Sequence, residues 1–66
     1  MDSLLEDLIF LLQQFEGDNR YKRIEYLKEF TGDTIRMLSA CAYKYTNDKK
    51  LRADIEFELN ERRRSD

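Results

Sequence analysis

Ile24, Leu27, Thr31, Thr34, Leu38, Cys41 and Tyr45 recur alternately three and four residues apart. At about 100° per residue, that spacing lays them along one side of a helix as a weakly apolar seam, a surface built to touch another helix. Such a helix needs a cover, and a chain of 66 residues has few ways to supply one. A domain so short buries only about 60% of the surface that its unfolded chain exposes. The single cysteine, Cys41, rules out an intramolecular disulfide, and the lack of histidine rules out a Cys/His zinc set. Regular helix packing and oligomerisation are left as sources of stability. The chain has no proline, two glycines and 39% charged residues, and it is rich in Leu, Glu, Lys and Arg, a composition that favours an all-α protein.

Ser3 followed by Glu6 fits a capping box that opens a first helix. Leu4, Leu5, Leu8, Ile9, Leu11, Leu12 and Phe15 share its broad apolar face, opposite Glu6, Asp7, Gln13 and Gln14, and Phe10 alone points away with the polar set. Gly17 is placed to end this helix in the left-handed conformation, and Asp18 or Asn19 to cap the next. From Arg20 the helical pattern runs to Tyr45, interrupted only by Thr31-Gly32-Asp33-Thr34. Either Gly32 ends one helix and Asp33 caps another, or the helix continues through Gly32 at about 1 kcal/mol relative to alanine. The seam keeps its phase across the tetrapeptide, which favours one long or bent helix over residues 19–46.

Thr46-Asn47-Asp48 reads as a break, with Asn47 or Asp48 capping a last segment. There Leu51, Ile55 and Leu59 recur at helical spacing, and Asp48/Arg52 and Glu58/Arg62 stand in the favourable i,i+4 order. Leu51, Ala53, Ile55, Phe57 and Leu59 also alternate with polar residues as a strand would, but a single strand would need a second copy of the chain to pair with. Helix is the preferred reading. The expected architecture is a single all-α domain over residues 1–66, a small helical hairpin or three-helix bundle with a long or bent central helix, forming a dimer. Helix 1 (residues 3–16) packs antiparallel on the central helix and mainly covers its seam. A final helix (residues 48–62) closes the open side or reaches a second subunit, and residues 1–2 and 63–66 fray.

Twelve Lys+Arg against fourteen Asp+Glu give a net charge of −2, which offers no global pull toward nucleic acid or an anionic membrane. The longest apolar run, Leu8-Ile9-Phe10-Leu11-Leu12, is five residues, against roughly 20 for a bilayer span. Acidic rather than basic residues precede it, so the expectation is a chain without a signal peptide or membrane association. An unpaired cysteine then favours a reducing, cytoplasmic setting.

A hairpin of this size leaves apolar surface uncovered, and Phe10, Tyr26, Phe30, Met37 and Phe57 lie off the core stripes. Together they are the expected protein interface, with a homodimer the first candidate because symmetric pairs are the commonest solution. Singly, exposed apolar residues are ordinary on any soluble protein. Arg62, Arg63 and Arg64, with Arg20, Lys22 and Arg23, could hold phosphates while Tyr21, Tyr26, Tyr43 and Tyr45 stack on bases. The interleaved acidic residues, and the fit of basic residues to a helix C-terminus, weigh against that alternative.

Cys41 lies on the seam and reads as a structural thiol, though a bridge across a symmetric interface is conceivable under oxidising conditions. Glu25/Glu29 and Asp54/Glu58 place carboxylates at i,i+4, but the helical di-metal pattern uses histidine, so no metal or cofactor is expected and a solvated charged face is the ordinary explanation. So small a chain also leaves little room for a shielded pair of catalytic carboxylates. The expected function is that of a small non-catalytic interaction module, an adaptor, inhibitor or chaperone-like regulator that docks on a larger protein and self-associates. A nucleic-acid-associated dimer and a purely structural oligomerisation unit are the alternatives.

Overall fold

The computed structural model describes residues 3–65 and the side chains of residues 4–64. The Ser3 half of the capping box and the expected fraying of residues 1–2 and 66 lie outside them, whereas residues 63–65, expected to fray beyond a helix ending at 62, are helical. Helix α1 (Ser3–Gln13) is followed by a 3-10 turn (Gly17–Asn19), α2 (Arg20–Lys28), α3 (Gly32–Tyr45) and α4 (Lys49–Ser65). Among the described residues there is no strand, so the all-α expectation holds and residues 51–59 are helical.

α1 stops at Gln13 rather than at residue 16, because its last turn tightens into i→i+3 bonds from Gln14 N–H to Leu11 and from Phe15 N–H to Leu12. Gly17 follows with φ +61°, the left-handed turn that sends the chain into α2. Asn19 stands at the N-cap position of α2 without a side-chain cap bond. In α4 the caps are better made. The Thr46 hydroxyl accepts from Asp48 N–H at 3.0 Å, and the Asp48 carboxylate accepts from Leu51 N–H at 3.0 Å.

The long central helix is not formed. α2 ends at Lys28, Thr31 is extended, and its hydroxyl accepts from Thr34 N–H at 3.2 Å as the N-cap of α3. Gly32 therefore opens α3, and neither it as a terminator nor Asp33 as a cap makes the break. In a continuous helix the carbonyls of Leu27 and Lys28 would accept from the N–H groups of Thr31 and Gly32. Arg62 donates to both carbonyls instead, through Nη2 at 3.0 Å each, sharing that of Leu27 with Phe30 N–H at 3.2 Å, and complements the negative end of α2 with its charge. Glu58 holds Arg62 in place at 3.1 Å, as the i,i+4 spacing suggested, whereas Arg52 turns from Asp48 to donate to the Thr46 carbonyl and cover the Tyr43 ring at 4.7 Å.

The break also rephases the apolar face. On α3 the buried stripe is Ile35, Leu38 and Ala42, while Thr34, Cys41 and Tyr45 of the expected seam sit at its edge and Thr31 is exposed. Leu51, Ile55 and Leu59 of α4, Ile9 and Leu12 of α1 and Leu27 of α2 complete one core, with Leu5, Leu8, Phe30, Cys41 and Tyr45 packed against it. α3 lies between α1 and α4, and α4 packs on α2 as well. The radius of gyration, 11.0 Å, is close to the value of about 10.8 Å for a compact chain of this length. The shortest dimension is 18 Å, room for two helix layers at interaxial distances of 8–10 Å but not for three. The result is a two-layer arrangement of four helices rather than a hairpin around one long helix, and every helix keeps an outward face.

The two glycines respond oppositely to substitution. A Cβ at Gly32 meets no atom within 4 Å and its φ is not positive, so Gly32→Ala should raise stability by about 0.5 kcal/mol through the unfolded chain. Gly17→Ala should cost about 1 kcal/mol, because φ +61° crowds an L side chain. Urea titration of both variants is the check; destabilisation by Gly32→Ala would contradict the helical φ and open surroundings of Gly32 at the start of α3.

Candidate functional site

A charge cluster lies where α1, α2 and α4 meet. Arg23, on the same face of α2 as Leu27, is only 1% exposed, and Asp54 of α4 is 5% exposed. Arg23 Nε donates to Asp54 Oδ2 at 2.9 Å, Nη2 lies 2.8 Å from the same oxygen, and Nη1 donates to the Leu12 carbonyl at 3.3 Å. Arg20, one turn earlier and half-exposed, grips the same carboxylate with Nε at 3.0 Å and Nη2 at 2.6 Å. Asp48 adds a second carboxylate 4.0 Å from Arg23. Burial pushes the Asp54 carboxyl up, but the hydrogen bonds and charges of Arg20 and Arg23 outweigh it and hold Asp54 below the ordinary carboxylate range. Arg20 is pushed above its own ordinary value by the hydrogen bond and charge of Asp54.

The Arg20–Asp54 pair floors a recess of about 490 Å³ between α2 and α4, walled by Tyr21, Ile24, Ala53 and Phe57. Tyr21 and Phe57 stand 59% and 58% exposed on its two sides. Only Phe57 of this wall was expected at an interface; Ile24 reads from sequence as seam and Tyr21 as a base-stacking ring. What would have exposed them is the end of α2 at Lys28, since Ile24 belongs to a short helix whose buried stripe is Arg23 and Leu27.

The other expected interface residues fall elsewhere. Tyr26 lies against Phe15 on one side and Phe30 on the other, with ring centroids 5.8 and 6.1 Å apart, and Phe30 is half-buried on the core. Phe10 and Met37 are exposed on α1 and α3, outside both aromatic groups. The expected set is thus not one patch. Leu4 and Leu11, expected on the covered face of helix 1, are exposed as well. The signal for this was the width of that face, which is broader than one neighbouring helix covers.

The basic residues considered for phosphate binding are separated. Arg20 and Arg23 converge on Asp54, and Arg62 is engaged by Glu58 and the end of α2. The two groups follow one another along α4, where Asp54 and Glu58 are one turn, about 6 Å, apart, and each is tied to its own carboxylate. Arg64 lies 3.6 Å from Glu61, while Lys22 and Arg63 are exposed. Of the i,i+4 carboxylate pairs, Asp54 and Glu58 are taken by arginines, and no group of three metal-ligating side chains occurs among the described residues. No described helix is long and apolar enough to cross a membrane.

The cluster makes stability depend on pH in a definite direction. Asp54 is harder to protonate in the folded chain than in the unfolded one, so its contribution is complete above about pH 4 and is lost as pH falls through its lowered value. Asp54→Asn should cost about 3 kcal/mol near neutrality, since it leaves Arg23 buried without its counter-charge, and should flatten the loss of stability between about pH 5 and pH 2. Urea titrations of both proteins across that range test this; parallel pH profiles would show that Asp54 is not the group responsible.

No protein-family model matches this chain, and neither does any curated protein or solved structure.

Proposed function

We propose that this chain is a small non-catalytic protein-interaction module that self-associates through the α2/α4 face and docks on a larger protein to regulate or recruit it. The observation that carries the reading is the recess between Tyr21 and Phe57, where two aromatic side chains more than half exposed flank an arginine already immobilised by a buried carboxylate. Tyrosine and arginine dominate the energetic centres of protein interfaces because they combine large area with directional polar groups. Arg20 is ordered before any partner arrives, so binding here forfeits little side-chain entropy. Covering the recess removes Phe57, Tyr21 and Ile24 from water at about 25 cal/mol per Å² of apolar surface.

Self-association is supported by the same geometry. A two-fold pairing would set Phe57 of each copy toward the recess of the other, an isologous contact in which one patch supplies both knob and hole. A chain this small also gains stability from such burial, since its single cysteine forms no internal disulfide.

Sedimentation equilibrium at micromolar concentration is the test. The wild-type chain should run at twice its 8.0 kDa mass, and Phe57→Ser and Tyr21→Ser should run at the single-chain mass with their helical content kept. A folded wild-type monomer would reject self-association through this face.

A further inference from the structure

The N-terminal third of the chain has a second outward face of different character. Residues 1–19 contain five acidic residues, Asp2, Glu6, Asp7, Glu16 and Asp18, and no basic one. The same stretch leaves Leu4 69% exposed and Leu11 41% exposed. Leu4 and Leu11, seven residues apart, share one edge of α1, and Phe15 stands two residues beyond the end of that helix. Phe15 in turn meets Tyr26 of α2. Apolar side chains are thus exposed along α1 and again at the step to α2, where a recess of about 310 Å³ is lined by Phe15, Tyr26, Lys22, Glu25 and Glu29.

Carboxylates accompany both stretches. Asp7 is the polar neighbour of Leu4 and Leu11 on the α1 wheel, Glu16 follows Phe15, and Glu25 and Glu29 flank Tyr26 by one and three residues. All four are exposed, and among the described residues none is in an ion pair. On α4, by contrast, Asp54, Glu58 and Glu61 each have an arginine. Lys22 is the single basic residue at the recess, against two carboxylates there.

We infer that the α1 face and the Phe15–Tyr26 step form a docking site for an amphipathic helix of another protein, its apolar stripe seated on Leu4, Leu11 and Phe15 and its flanking lysines or arginines paired with Asp7, Glu16, Glu25 and Glu29. Apolar side chains edged by unpaired carboxylates are the complement of a basic amphipathic helix. A second copy of α1 would bring the same acidic edges together, and an anionic membrane would be repelled. The inference names the partner's chemistry within the reading of this chain as an interaction module. It uses a face remote in sequence from Phe57, so either can fail without the other.

The test titrates the full chain with two synthetic amphipathic helices of about 18 residues, long enough to hold helical structure. Both carry the same leucine stripe, one flanked by lysines and one by glutamates. The lysine peptide should bind, weaken about tenfold between low and high salt, and shift the amide resonances of α1, Phe15 and Tyr26. Leu4→Ser with Leu11→Ser should weaken it about tenfold, and Phe57→Ser should leave it unchanged. Should the double serine variant not fold, Asp7→Lys with Glu25→Lys, both at exposed positions, should lose the lysine peptide and gain the glutamate one. Equal binding of the two peptides, shifts confined to α4, no effect of either double variant, or no binding of the lysine peptide would each overturn the proposal.

Discussion

Arg23 is a guanidinium at 1% exposure in a chain of 8.0 kDa. Because arginine stays charged at any pH a protein meets, that position demands a carboxylate, and the demand organises the fold. Asp54 answers it from α4, the Leu12 carbonyl takes a further donor at the end of α1, and Arg20 secures the far side of the same carboxylate. Three of the four helices are thereby joined at one point. Removing several ions from water costs several kcal/mol each, so the cluster is not where net stability originates. Its effect is on register: sliding α4 by one residue past α2 would turn Asp54 away and strand a buried positive charge. The nine apolar side chains of the core supply the drive to collapse, and the cluster selects which collapsed arrangement is tolerated.

The 18 Å thickness explains why so much apolar surface remains outside. With two helix layers, each helix keeps one face that no further layer covers, and an apolar face as wide as that of α1 cannot be covered completely. The uncovered remainder is distributed unevenly. Between α2 and α4 it surrounds a neutralised, rigid ion pair, a setting suited to a self-complementary contact. Along α1 it is bordered by carboxylates that form no ion pair among the described residues, a setting that calls for opposite charge. Two faces of unlike electrostatics on one small scaffold are the ground for the proposed self-association on one side and the proposed engagement of a basic helix on the other.

Much of this was legible from residue order. The 51/55/59 stripe of α4, the Asp48 cap, the Glu58–Arg62 pair, the turn at Gly17 and the exposure of Phe10 and Phe57 all follow from local spacing, because each involves residues within one or two turns. What was not legible involves partners distant along the chain. Arg23 and Asp54 are 31 positions apart, and no local rule couples them. The one available hint was a charge on the apolar face that carries Leu27. Tyr21 and Ile24 became walls of a recess only because α4 lies beside α2, and Leu4 and Leu11 became exposed only because α3 is narrower than the face α1 presents.

The segment around Gly32 marks the division between the two kinds of information. Helical periodicity, the Thr31 hydroxyl three residues before Thr34 and the lack of proline are properties of the sequence, and they determine that helix lies on both sides of residue 30. They do not decide between one helix and two, since the cost of glycine in a helix, about 1 kcal/mol, is no larger than the gain from a threonine cap. Tertiary structure decides it. Arg62, more than thirty residues away, occupies the carbonyls of Leu27 and Lys28 that a continuing helix would use, and with its positive charge it stabilises an end there. A balance that local forces leave near zero is settled by one side chain delivered from α4.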